Sequence, residues 1–506
     1  MPQKQKYLPI LPKPQDWPVV QLNKARKAFV QAVVDETMQV LLAAHAEEEA
    51  LRAMLIKTAG LELARAQKKA WKVDPAEEVA FWGHWVATLP EQSPTALPAI
   101  LREIIRHYAQ GIAGKFRMTH YHLAQRTATY TLTRLLNPVS LKRVRSPWHR
   151  RTRLQEKIHI TGAIDRLRAL ARVGTIVMVP THFSHLDSLL LGWVTHTLGL
   201  PHFIYGAGLN LFNNRFFAHF LNNLGTYKID RRRKNLSYLT TLKAYARLAL
   251  ERGCHSLFYP GGTRSRSGAL EQQLKLGLLS TAFEAQQHNY ARHGPAGRKL
   301  FVVPVVLSYH CVLEAPPLIK SYLAAQGIRA PRQRARRALP QKLWSWADSF
   351  LTKGSSIVVS IGDAMDLMGN RVDEAGHSYN AQGALVDTYQ HFLASASGEG
   401  NAQHEADTRA LSQAIVAAYV KANCILTSHV LAFVAFSLFR QQHADLSLQA
   451  LLQLAPAKLV IPYARLEATF SQLHKGLLQL QQVGQVRLEP MLEGTDLTAI
   501  VQHGLS

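Results

Sequence analysis

The chain has 506 residues, 47% of them hydrophobic, and carries 59 lysines and arginines against 34 aspartates and glutamates, a formal net charge of +25. That length and apolar share exclude a disordered chain or a small disulfide-stapled one, and leave room for two or three domains with generous cores. The positive excess attracts polyanions, whether nucleic acid, an anionic membrane face or phosphorylated substrates, and by itself selects none of them.

In chain order, the opening MPQKQKYLPILPKPQDWPVV is broken by prolines and lacks the continuous apolar centre of a signal peptide, so export is not expected. Cys254, Cys311 and Cys424 are far apart with no CxxC spacing, which predicts neither a disulfide framework nor a structural zinc site and fits a reducing compartment. From Ala25 to Trp71 the sequence is rich in Ala, Leu, Glu, Lys and Arg and free of proline, so long helices are expected. Asp74-Pro75-Ala76-Glu77 then reads as a helix start: an N-cap acid, a proline at the first helical position and an acid at the third, ahead of AFWGHWVATL. Helices are predicted to continue to about Leu136, where Asn137-Pro138 closes the region. His120 and His122 lie two apart within it, facing away from each other on a helix, and are expected at the surface.

Beyond the basic stretch SLKRVRSPWHRRTR the rhythm changes to short β-rich runs separated by helix-compatible stretches. The runs cover 174–180, 202–208, 226–229, 255–260, 300–307 and 355–362, with helices predicted over 236–252 and 270–287. This alternation predicts an α/β domain with a mostly parallel sheet flanked by helices, whose sites gather at the carboxyl ends of the strands. After Gly362 the chain is polar and loosely punctuated, and from about Arg409 it reads as helices. The apolar stretch Cys424 to Phe439 is too short to span a bilayer and predicts a buried helix. Three regions follow: helical 1–150, α/β 151–370 and helical 371–506.

At the end of the first β-rich run stands THFSHLD, residues 181–187. Metallo-β-lactamase-type hydrolases carry T-H-x-H-x-D-H after a buried strand, but here the second histidine comes one residue late and Ser188 follows the aspartate. That spacing argues against a metal. With no G-x-S-x-G elbow in the chain, Ser184 is not expected to be a nucleophile. What remains is His182 with Asp187, spaced H-x4-D. A carboxylate on one ring nitrogen fixes the tautomer and leaves the other nitrogen to take a proton from a substrate hydroxyl. Taken alone, the pair reads more readily as an aspartate capping a helix above a wet turn.

Its company alters the balance. The run at 226–229 is followed by Asp230-Arg231-Arg232-Arg233-Lys234, and the run at 255–260 by Gly261-Gly262-Thr263-Arg264-Ser265-Arg266-Ser267-Gly268. The second is a glycine-rich turn whose amides, hydroxyls and guanidinium groups suit a phosphate.

In four blocks the chain resembles the glycerolipid acyltransferases, most closely the bacterial glycerol-3-phosphate and animal dihydroxyacetone-phosphate acyltransferase branch. These are His182 to Asp187 with the leucines after it, Gly225 to Arg231, Tyr259 to Gly268, and Val302 to Tyr309. The resemblance implies His182 as general base with Asp187 orienting it, and Arg231 as a phosphate ligand. It further implies Gly262, Thr263, Arg264, Ser265 and Arg266 around the acceptor, and Pro304 shaping the strand beside the acyl donor. Gly261 departs from the family, whose third block has glutamate there, and this leaves the acceptor open. The implied reaction moves a fatty acyl group from acyl-CoA or an acyl carrier protein to a hydroxyl of a phosphorylated acceptor, foremost glycerol 3-phosphate, with no cofactor or metal. His185 is left as a supporting residue.

The segment 329–337, RAPRQRARR, leads into LPQKLWSWADSFLTK, where Leu343, Trp344, Trp346 and Phe350 suit a lipid interface. A peripheral protein on the cytoplasmic face of an anionic membrane is therefore expected. The rivals are a nucleic-acid binder, for which no zinc-finger, RNP or basic heptad pattern is found, and an inactive lipid-binding scaffold marked by Gly261.

Overall fold

The central sheet has seven strands: β1 (Ile158–Gly162), β2 (Thr175–Pro180), β3 (Ile204–Gly208), β4 (Tyr227–Ile229), β5 (Ser256–Leu257), β6 (Leu300–Tyr309) and β7 (Ile357–Ile361). In this computed structural model, residues 7–68, 71, 73–136, 150–213, 215–312, 314–328, 356–396, 400–451, 454 and 456–505 are described. The strand order is β1-β7-β6-β2-β5-β3-β4. The five strands from β6 to β4 run parallel, while β7 is antiparallel to β6 and β1 parallel to β7. The carboxyl ends of β2, β4, β5 and β6 therefore share one edge of the sheet, which is where the polar segments after the β-rich runs emerge.

β2 and β6 are buried along their whole length, as strands covered by helices on both faces must be. Their side chains alternate between two cores. Ile176 and Met178 join Val303, Val305 and Leu307 on one face, under α6 (Met118–Leu136), α8 (Ile164–Val173) and α9 (Asp187–Thr197). Val177 and Val179 join Val302 and Val306 on the other, under α12 (Leu276–His293), α14 (Thr388–Ala396) and α15 (Gly400–Ala422). Pro304 sits in β6 opposite the point where β7 ends. Its carbonyl accepts the Gly362 amide at 2.8 Å, just past the last paired residue of β7.

The N-terminal helices pack against the β3–β4 edge. They comprise α1 (Pro18–Lys24), α2 (Arg26–Ala44), α3 (Glu48–Gln67), α4 (Glu78–Thr88) and α5 (Leu97–Ile112). Their apolar faces share one core with Tyr238, Leu242 and Tyr245 of α11 (Leu236–Glu251). At the other end, α16 (Thr427–Gln442), α17 (Tyr463–Gln482) and α18 (Leu497–Leu505) close a separate small core around Phe470.

Several expectations shift. The helix after Asp74 begins at Glu78 rather than at Pro75, because the Asp74 carboxylate is engaged by the Trp71 amide and by Arg232. The predicted helix over 270–287 starts only at Leu276, and residues 269–275 instead fold back on the preceding turn. β1 was hidden because it is a short, half-exposed edge strand behind a basic stretch. The polar, loosely punctuated residues 371–386, at the start of the region expected to be helical, form a small three-stranded antiparallel sheet. The stretch from Cys424 gives α16, but Phe433 and Phe436 lie exposed on it, so the helix is only half-buried. Segment 329–350 lies outside the described residues. Among those described, no helix is long and apolar enough to cross a membrane.

Candidate active site

β2 ends at Pro180, and Thr181 carries the chain alongside β6: its amide donates to the Val305 carbonyl at 2.9 Å and its Oγ1 accepts the Leu307 amide at 3.1 Å. The turn that follows brings His182 above the sheet, and α9 begins at Asp187, which is fully buried. Asp187 Oδ2 accepts the amides of Phe183 at 2.7 Å and Ser184 at 2.9 Å, so it does fix the turn before the helix. The same oxygen lies 2.7 Å from His182 Nδ1. A carboxylate has no hydrogen to give, so Nδ1 carries the proton and the neutral ring keeps its lone pair on Nε2. Asp187 therefore braces the preceding turn and contacts the ring, and makes no side-chain cap to the helix amides that follow it.

Two tyrosines complete this pair. Tyr309, at the end of β6, donates its hydroxyl to Asp187 Oδ1 at 2.5 Å. Tyr259 stacks on the imidazole with ring centres 4.0 Å apart and planes 19° from parallel, and its hydroxyl shares a hydrogen bond with Ser188. Both stand in the quoted blocks, but neither received a role from the sequence. The ring is thereby held in its plane by Tyr259 and along its edge by Asp187.

The turn after β5 is fastened to this loop. Gly262 has a left-handed φ of 75°, which favours glycine, and the Ser265 amide donates to the His182 carbonyl at 2.8 Å. Arg264 is partly buried, 3.8 Å from the Glu314 carboxylate. That carboxylate also accepts the Ser184 hydroxyl at 2.7 Å and the His185 amide at 2.9 Å, so one acid ties two of the blocks together. Thr263 and Arg266 are exposed at the rim, whereas the Ser265 hydroxyl is spent on the Ala269 carbonyl within the turn. His185 meets the site through its backbone. The Lys275 side chain lies against Gly262, adding a cation that the sequence reading did not include.

The block after β4 is corrected more heavily. Arg232 is bound by Asp74 and Asp230, and Arg233 by Glu62, Glu78 and Asp230, so neither is free for an anion. Arg231 is exposed, on the correct edge of the sheet. Its strand stands three spacings from β2, about 14 Å. The structure therefore brings His182, Asp187, Gly262, Arg264 and Ser265 together directly, while Arg231 belongs to the same edge at a distance. Pro304 is buried beside Val179 and shapes the strand without reaching His182.

A strand-end histidine–aspartate pair thus stands beside a basic glycine turn, and residues 162–308, which contain both, match the family described as Acyltransferase. Over that segment the chain is similar to this family. Among named relatives, glycerol-3-phosphate acyltransferase of Actinobacillus pleuropneumoniae serotype 3 (strain JL03) is 27% identical over 311 residues, 60% of this chain and 34% of the relative. Proteins of the same name from Haemophilus influenzae (strain PittEE) and Haemophilus ducreyi are 31% identical over 200 residues and 30% identical over 212. These cover 39% and 41% of this chain but 23% and 25% of the relatives. The chain thus spans about a third or less of the curated relatives it matches.

Proposed function

We propose that the protein transfers a fatty acyl group from the thioester of acyl-CoA or an acyl carrier protein to a hydroxyl of a phosphorylated glycerol-type acceptor, foremost glycerol 3-phosphate. The observation that carries this reading is the 2.7 Å contact from His182 Nδ1 to Asp187, beside a turn bearing Arg264 that is fastened to the same loop. His182 Nε2 takes the proton of the acceptor hydroxyl, and the oxygen attacks the thioester carbonyl carbon. The tetrahedral adduct collapses with cleavage of the C–S bond, and the departing thiolate takes the proton from the imidazolium. The products are an ester and a free thiol. Arg264, with Lys275 and Arg266 nearby, holds the phosphate so that the hydroxyl is already oriented when the donor arrives.

The reading is tested by thiol release from palmitoyl-CoA and from an acyl carrier protein thioester, with glycerol 3-phosphate, dihydroxyacetone phosphate, lysophosphatidate and non-phosphorylated alcohols as acceptors. Release that depends on a phosphorylated acceptor supports it, and thioester turnover indifferent to the acceptor counts against it. A hydrogen bond to a charged group contributes about 1.5–3 kcal/mol, so Arg264→Met is expected to raise KM for glycerol 3-phosphate by roughly 10-fold or more. KM for a non-phosphorylated alcohol should hardly move. By the same magnitude, Tyr309→Phe, which removes one of the donors to Asp187, is expected to lower kcat roughly tenfold with acceptor KM little changed.

The net charge of +25 supports peripheral attachment to the cytoplasmic face of an anionic membrane. Titrating salt against binding to anionic vesicles and to DNA tests it: preferential, salt-sensitive binding to DNA would favour the nucleic-acid reading instead.

A further inference from the structure

The turn that lies over His182 contains two adjacent glycines, and they are glycines for different reasons. Gly262 needs its left-handed backbone, but Gly261 is not among the glycines with positive φ. What excludes a side chain at 261 is space: a Cβ there would lie 2.7 Å from Cγ of Glu271 and 3.1 Å from its Oε1. Glu271 belongs to the segment 269–275 that folds back instead of starting α12, and that segment is pinned where the Lys275 amide donates to the Pro260 carbonyl at 2.8 Å. From there the Glu271 side chain enters the volume left by glycine, and its Oε1 accepts the backbone N–H of His182 at 3.1 Å.

The peptide groups of His182 are consequently gripped on both sides by neighbouring segments. Its N–H is held by Glu271 and its C=O by the Ser265 amide, while Asp187 and Tyr259 hold the ring. The second Glu271 oxygen is buried with no hydrogen-bond partner among the described residues. Burial raises the carboxyl above the usual range, and the nearby Asp187 charge acts in the same direction, against the hydrogen bond from the His182 amide. Half-satisfied burial of an acid is unfavourable for folding, so stability alone gives no reason for it at this place.

We propose that Glu271 is a positioning residue for His182, occupying the side-chain volume that Gly261 leaves free and fixing the backbone beneath the base. The proposal rests on the reading of His182 as general base. It accounts for the glycine at 261 and for the late start of α12 with one contact.

Glu271→Ala, Glu271→Gln, Gly261→Ala and the double Gly261→Ala/Glu271→Ala test it in the full chain. A displaced base can cost on the order of 100-fold, so Glu271→Ala is expected to lower kcat by about that factor with acceptor KM nearly unchanged. Glu271→Gln should recover most of the loss, because its amide oxygen accepts the same N–H. Gly261→Ala should slow the wild-type chain by pushing Glu271 aside, yet add nothing once Glu271 is alanine. Glutamine as slow as alanine, or effects of the two positions that simply multiply, would overturn the proposal. Hydrogen exchange over 181–187 gives a readout independent of turnover. Protection lost in Glu271→Ala and kept in Glu271→Gln supports the clamp even if the acyl-transfer reading fails, and unchanged protection in both variants refutes it.

Discussion

Replacing His182 by alanine is expected to cut thiol release in the presence of glycerol 3-phosphate by about 10²–10⁴-fold, the usual contribution of a positioned general base. Release is followed spectrophotometrically as free thiol, with each variant's fold checked by its melting curve. The size follows from the geometry: Nδ1 is committed to Asp187, so Nε2 is the only ring nitrogen available to the acceptor, and alanine leaves nothing in its place. His185→Ala is expected to weaken turnover far less, since that residue engages Glu314 through its backbone amide, which alanine retains. Equal turnover by wild type and His182→Ala would end the mechanism, whatever the fold similarity.

The second large effect concerns stability. Arg233 is nearly buried between Glu62, Glu78 and Asp230, with Tyr108 and Tyr238 beside its guanidinium. Removing one partner from a buried ion cluster leaves the remaining charges uncompensated, so Arg233→Met is expected to cost about 3–5 kcal/mol in urea unfolding at neutral pH. The pH dependence has a definite sign. Burial alone would raise the Glu78 carboxyl, but the hydrogen bond from His107 and the charges of Arg233 and Arg65 outweigh it and hold the group well below the ordinary carboxylate range. The stability linked to that depression is complete above the ordinary range and is lost as pH falls through it toward the lowered value. The gap between wild type and Arg233→Met should accordingly narrow on acidification. A gap that is constant or widens would show that the cluster does not act through Glu78.

The strand-to-helix turn at His182 was legible because its signal is local: an apolar run, a six-residue turn carrying two histidines, and a renewed apolar pattern. The same holds for the parallel α/β layout, which alternating β-rich and helical stretches declare. The rest of the site depends on contacts between distant parts of the chain. Glu271 reaches the His182 amide across 89 positions, Tyr309 reaches Asp187 across 122, and Glu314 reaches Ser184 across 130. No periodicity or spacing encodes such meetings. The run Arg231 to Lys234 shows the converse, because three arginines look alike in sequence while two of them are neutralised by acids from the first 78 residues. A glycine is equally mute: Gly261 and Gly262 read as one flexible turn until the space above each is seen.

The shared core between the N-terminal helices and α11 also limits how the α/β part can be handled. Cutting the chain at the edges of the recognised family segment would strip the cover from Tyr238, Leu242 and Tyr245 and expose an oily wall along the sheet margin. The smallest portable unit is therefore larger than the homologous stretch, and grafts or isolated fragments need the preceding helical layer to stay folded.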